Sequence, residues 1–195
     1  MDRKVIDSHF HIFDLNVRDS YPNQNESHGF PPPGVIGRSV EMFKLFTINE
    51  GILTLCRSHS LQEIEKTMQE SGSQVVGGVF VQCYNDCPEE IECVYSQAKQ
   101  SNKLLGVVGG LNLTKHDKMR EMINKYKGRD EGPKFLGVRY LLAWDKEDFM
   151  LREDALKGLQ ILAENNLTFD WHTPTSGNKT INDGINHKII IINHL

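Results

Sequence analysis

VVGGVFVQCY at Val75–Tyr84, the segment opened by Pro88, and LLGVVGGLNL at Leu104–Leu113 carry the pattern that decides the fold. The first run is apolar and β-rich. After Pro88, Ile91, Val94, Tyr95 and Ala98 fall at i, i+3, i+4 and i+7, one face of a helix, and the second apolar run follows. Nearly continuous apolar strands alternating with amphipathic helices imply a parallel sheet covered by helices.

Working outward, the rhythm continues in both directions. Downstream, Thr114 is the expected N-cap of a helix with Met119, Met122, Ile123 and Tyr126 on one face. FLGVRYLL at 135–142 is the next strand; Leu156, Leu159, Leu162 and Ala163 mark the next helix, and LTFDWHT at 167–173 the strand after it. Upstream, Leu61, Ile64 and Met68 take helical spacing before Gly72, a short helix is expected over 38–47, and residues 15–37, with Pro31-Pro32-Pro33, read as a long loop. Val5 and Ile6 begin the first strand. Residues 174–188, rich in Asn, Gly and Thr, interrupt the pattern before Ile189–Ile192, which reads as a further buried strand. Six strands of one parallel series are therefore expected, near Val5, Val79, Val107, Val138, Phe169 and Ile191. A closed (β/α)8 barrel of the TIM type needs eight, so strands seven and eight are missing and the barrel is expected to be incomplete.

The length, 195 residues, suits a single domain over 1–195, and the 38% hydrophobic and 25% charged fractions are those of a globular protein. A net charge of −4 gives no basic footprint for nucleic acid, no apolar stretch reaches membrane-spanning length, and the expected compartment is the cytoplasm. Cys56, Cys83, Cys87 and Cys93 lack C-x-x-C spacing and read as free thiols. The sequons at Asn25, Asn112, Asn166 and Asn178 have no export signal to give them meaning.

The chemistry concentrates at strand ends. In DSHFHIFD at 7–14, His9 and His11 are two residues apart, and a strand points such residues to one face roughly 6–7 Å apart, so both imidazoles can converge on one ion or one substrate oxygen. His172 ends the fifth strand and His194 the sixth, whereas His28, His59, His116 and His187 fall in loops or near helix starts. In parallel α/β folds the functional side chains gather at the carboxyl ends of the strands. Asp7 shares the face of the pair and is a candidate to orient His9; Asp170 shares the face of His172 and reads as an acid, a base or a structural carboxylate. No G-x-S-x-G elbow, P-loop or dinucleotide fingerprint is present.

DSHFHIFD, GGVFVQC at 77–83, LGVVGGLNL at 105–113, FLGVRYLL, LTFDWHTP at 167–174 and IIINHL at 190–195 together resemble the amidohydrolase superfamily. Within it, they resemble the branch that holds L-fuconolactonase-like sugar-acid lactonases, pyrone dicarboxylate lactonase and aminocarboxymuconate semialdehyde decarboxylase. The resemblance implies a (β/α)8 barrel and a hydrolase of a small acidic lactone or related ester, with a metal-dependent decarboxylase as the alternative reaction. It implies metal binding by His9 and His11, catalytic roles for His172 and His194, and substrate contacts from Arg139 in the G-V-R block and from Gln82. It also implies a divalent cofactor such as zinc, although members of the branch differ in needing one. The family's eighth-strand aspartate has no counterpart here, so the second expectation is an inactive truncated product that only binds. The expected partners are a small-molecule substrate, another copy of the chain or a related full-length subunit.

Overall fold

The computed structural model describes residues 4–14, 16–17, 57–72, 74–84, 86–141 and 148–173, with backbone alone at 172–173 and at 186–190. The predicted helix over 38–47 lies outside these residues, as does most of the predicted loop before it. β1 (Val5–Phe10) is followed by α1 (Leu61–Glu70), β2 (Val75–Val81), α2 (Pro88–Ala98), β3 (Leu104–Gly110), α3 (His116–Lys127), β4 (Lys134–Leu141), α4 (Glu153–Glu164), β5 (Thr168–Thr173) and β6 (Asn186–Ile190). No helix among the described residues is long and apolar enough to cross a membrane.

Local chemistry explains where the helices begin. Ser60 accepts the Glu63 N–H at 3.3 Å while the Glu63 carboxylate accepts the Ser60 N–H at 3.0 Å, a reciprocal cap that starts α1. Pro88 occupies the first turn of α2, where its missing N–H costs nothing. At α3 the expectation fails by one residue: Lys115 is the N-cap, and Thr114 donates its N–H and hydroxyl to Asn112 Oδ1 at 2.9 and 2.8 Å. Thr114 is thus drawn into an Asx turn at the end of the preceding strand instead of capping the helix. The apolar positions predicted for α2 and α3 are buried. On α4 the buried positions are Ala155, Gly158, Ile161 and Leu162, while Leu156 is 50% exposed. The close approach at Gly158 accounts for the rotation, because a Cβ there would stand 2.2 Å from the Leu113 carbonyl oxygen.

The sheet order is β1-β2-β3-β4-β5-β6, each strand bonded to the next in sequence. β1 to β5 are all parallel, and the first three pairings each contain a register shift. Sequential parallel order is that of a barrel wound in one direction, since a doubly wound sheet reverses its order at a switch point. Staggered register is what curling such a sheet requires. Five parallel strands with alternating helices thus make a half-barrel of the (β/α)8 type. The sixth strand departs from expectation: β6 runs antiparallel to β5, with His172 opposite His187. A parallel return needs a long crossover, usually helical, and the sequence of residues 174–185 lacks the spacing of an amphipathic helix.

One hydrophobic core unites sheet and helices through Phe80, Val107, Phe135, Val138 and Phe169 from the strands and Ile91, Ile123, Ile161 and Leu162 from the helices. A smaller cluster of Phe13, Tyr84 and Cys87 sits where β1 and β2 end and braces the loops that follow them. Gly110 permits that arrangement, since a Cβ there would lie 2.2 Å from the Tyr84 carbonyl oxygen.

Candidate functional site

The end of β1 brings the first two histidines together. His9 lies in the strand and His11 just past it, and their Nε2 atoms stand 3.2 Å apart with the rings nearly perpendicular at 83°. His11 Nδ1 lies 2.7 Å from the Val81 carbonyl oxygen at the end of β2. A carbonyl only accepts, so Nδ1 carries the proton, and in the neutral ring the lone pair then sits on Nε2, the nitrogen that faces His9. Two nitrogens bound to one tetrahedral zinc at about 2.0–2.1 Å would be separated by about 3.3 Å, so this spacing fits two ligands of one ion. Asp7 does not orient the His9 ring as anticipated; its Oδ1 accepts the His9 backbone N–H at 3.0 Å, which shapes the strand end. Among the described residues no group of three metal-ligating side chains occurs.

β2 ends in a hub. Val81 O faces the His11 ring, Gln82 N–H donates to Val108 O at 2.9 Å, and Gln82 O accepts from the Arg139 guanidinium at 3.3 Å. Gln82 Nε2 returns the contact by donating to the Arg139 carbonyl at 3.3 Å. These bonds tie the ends of β2 and β4 across the intervening β3. Gln82 is 0% and Arg139 4% exposed, so the two predicted substrate contacts are brought together as a buried pair. Asp170 Oδ2 stands 3.9 Å from Arg139 Nε and is itself buried, which makes Asp170 the countercharge of the arginine. Burial pulls the Arg139 pKa down, and the fields of Asp170, Cys83 and Glu90 oppose that pull.

Glu90 was not anticipated from the sequence. It sits in the first turn of α2, where an acidic residue ordinarily means only favourable interaction with the helix dipole. Here it is 3% exposed, and its Oε1 accepts the Cys83 N–H at 2.9 Å. Desolvation pushes its pKa up to about 8, against the pull of the Cys83 amide and Arg139. Its apolar surroundings could have been suspected from Ile91 and Val94 beside it in the sequence, but no spacing rule marks the residue. Burial pushes the nearby thiols up, Cys83 well above its usual value and Cys87 to about 12, which disfavours the thiolate form. Cys83, Cys87 and Cys93 are free thiols, as read from the sequence, and Cys56 lies outside the described residues.

The backbone of His172 lies in β5, in register with Leu141 of β4. Its side chain, and all of His194, lie outside the described residues. Of the other histidines, His116 Nε2 is 2.7 Å from the Asp154 carbonyl oxygen and His59 exchanges backbone hydrogen bonds with Phe13, while His28 and the side chain of His187 lie outside the described residues.

No protein-family model and no curated protein matches the chain by sequence. Two solved structures share its fold. One is an amidohydrolase from Burkholderia multivorans with bound zinc, 18% identical with a TM-score of 0.57, over 86% of this chain and 48% of that one. The other is a probable 2-pyrone-4,6-dicarboxylic acid hydrolase from Acinetobacter baumannii with citric acid bound, 16% identical with a TM-score of 0.56, over 88% of this chain and 50% of that one. The chain spans about half the length of these solved structures. The likeness is one of fold: 86% and 88% of this chain follow the strand-and-helix architecture of about half of each of these two structures.

Proposed function

We propose that this chain supplies a histidine-based hydrolase site for a small lactone or ester that carries a carboxylate. The observation that carries the reading is the convergence of His9 and His11 Nε2 at 3.2 Å, at the carboxyl end of β1, where such barrels place their chemistry. The two imidazoles suit a divalent ion such as zinc, which would supply Lewis acidity to the substrate carbonyl. His11 is held ready for this by Val81, whose carbonyl fixes the tautomer that leaves Nε2 unprotonated. Arg139 would bind the anionic group: its planar fork forms two short bonds to a carboxylate, closer than the 3.9 Å at which Asp170 stands. Gln82 holds the arginine in place from the next-but-one strand. His172 and His194 would complete the ligand set or transfer protons, and the citric acid bound to the Acinetobacter neighbour supports an acidic ligand.

Zinc titration of the purified chain, followed by a hydrolysis screen of carboxylate-bearing lactones, tests the reading. His11→Ala should weaken zinc binding at least about tenfold, as loss of one of a few ligands does, and should abolish turnover. Zinc affinity indifferent to His11, or a folded protein with neither metal nor turnover, overturns it in favour of an inactive binding product.

A further inference from the structure

The His pair and the arginine depend on the same few backbone atoms. His11 rests on Val81 O, and Arg139 on Gln82 O, which are consecutive carbonyls at the end of β2. The Cys83 N–H, on the same peptide group as Gln82 O, is taken by Glu90 Oε1 at 2.9 Å from the first turn of α2. Glu90 therefore bonds α2 to this strand end, and it is buried to 3% exposure. Below the hub the sheet is fixed by ladder bonds; beyond it the chain turns into the loop toward α2. The carboxyl group of Glu90 thus ties that turn to α2, and its reach bears on where Cys83, and with it the two carbonyls before it, come to rest.

We infer that Glu90 is a positioning residue, which by holding the Cys83 amide sets Val81 O and Gln82 O and so aims both the His11 ring and the Arg139 guanidinium at the substrate. The inference rests on the proposed role of Arg139 in binding a carboxylate. Its substance is geometric: the acceptor oxygen matters and the negative charge does not. Desolvation keeps Glu90 protonated near neutral pH, so glutamine is its close analogue there. Glu90→Asp, by contrast, retains a carboxyl but withdraws the oxygen by about one methylene, roughly 1.5 Å.

Two measurements on the full chain separate the possibilities. The first is the imidazole N–H resonance of His11, assigned by its loss in His11→Ala, which reports the bond to Val81 without ligand or turnover. The second is citrate binding by calorimetry. Glu90→Gln should keep the His11 resonance and hold citrate affinity within about twofold, whereas Glu90→Asp should shift or broaden the resonance and weaken citrate about fivefold or more, the equivalent of one ordinary hydrogen bond. In any lactone assay Glu90→Asp should raise KM more than it lowers kcat, since it misplaces a binding group. A Glu90→Asp protein with the wild-type His11 resonance overturns the inference, as does a Glu90→Gln protein that has lost it. Citrate binding that ignores Arg139→Ala overturns the proposed function instead and leaves the resonance test to decide the role of Glu90.

Discussion

Glu90 enters the folded state with a proton that it gives up in the unfolded chain, because burial lifts its pKa from an ordinary 4.5 to about 8. Folding then takes up a proton between those values, so this group's contribution to stability is complete below pH 4.5 and is lost progressively as pH rises toward 8. Over that window the loss is on the order of a few kcal/mol. Urea midpoints measured from pH 5 to 8.5 should fall with pH in the wild type, and Glu90→Gln, which has no proton to lose, should flatten the decline. An unchanged slope in Glu90→Gln would place the proton elsewhere. Arg139 is the neighbouring case at this scale. Arg139→Leu should leave Asp170 buried beside an apolar group, with a cost of about 3–5 kcal/mol read from the same urea curves. The His pair was legible from sequence because strand periodicity alone puts His9 and His11 on one face. Glu90 and the Asp170 countercharge were not, because a glutamate in a helix's first turn and an aspartate in a strand acquire their meaning only from what covers them.

The secondary elements were legible where the periodicity was strong and lost precision where a side chain had a better local offer. α2 and α3 bury the faces that their spacing predicts. α4 turns Leu156 outward because the close approach of Gly158 to Leu113 lets the helix seat itself by its small residues. Gly158→Ala should therefore destabilise the protein by about 1–3 kcal/mol despite alanine's better helix propensity, since backbone, not a flexible side chain, occupies the space. Ser60→Ala, which removes half of the reciprocal cap on α1, should cost about 1 kcal/mol. Equilibrium urea unfolding of both variants checks these values; a stabilising Gly158→Ala would mean that α4 shifts readily away from the Leu113 carbonyl and that its rotation has another cause.

At the scale of the molecule, β1 has β2 on one side and no strand on the other among the described residues. Val5 and Ile6 on β1 are 47% and 56% exposed, and Leu105 on β3 and Leu136 on β4 are 38% and 37% exposed. A parallel sheet whose first strand has no outer neighbour among the described residues, and which exposes apolar side chains, favours association with another strand or sheet face. We propose that a second copy of the chain covers them. The protein should sediment above its monomer mass at tens of micromolar, and Ile6→Lys with Leu136→Lys should shift it toward monomer; a strictly monomeric wild type rejects the proposal. The alternation of apolar strands with amphipathic helices is a local property, and by itself it determined the parallel β/α architecture, the order of the elements and the placement of the histidine pair at a strand end. Only the tertiary structure decided that β6 turns back antiparallel, that Arg139 and Gln82 are buried against each other across β3, and that Glu90 holds the end of β2. Each of these depends on which group a residue meets across a turn or a strand, 57 positions away for Arg139 and Gln82 and 7 for Glu90 and Cys83, and periodicity says which face a residue takes but not its partner there.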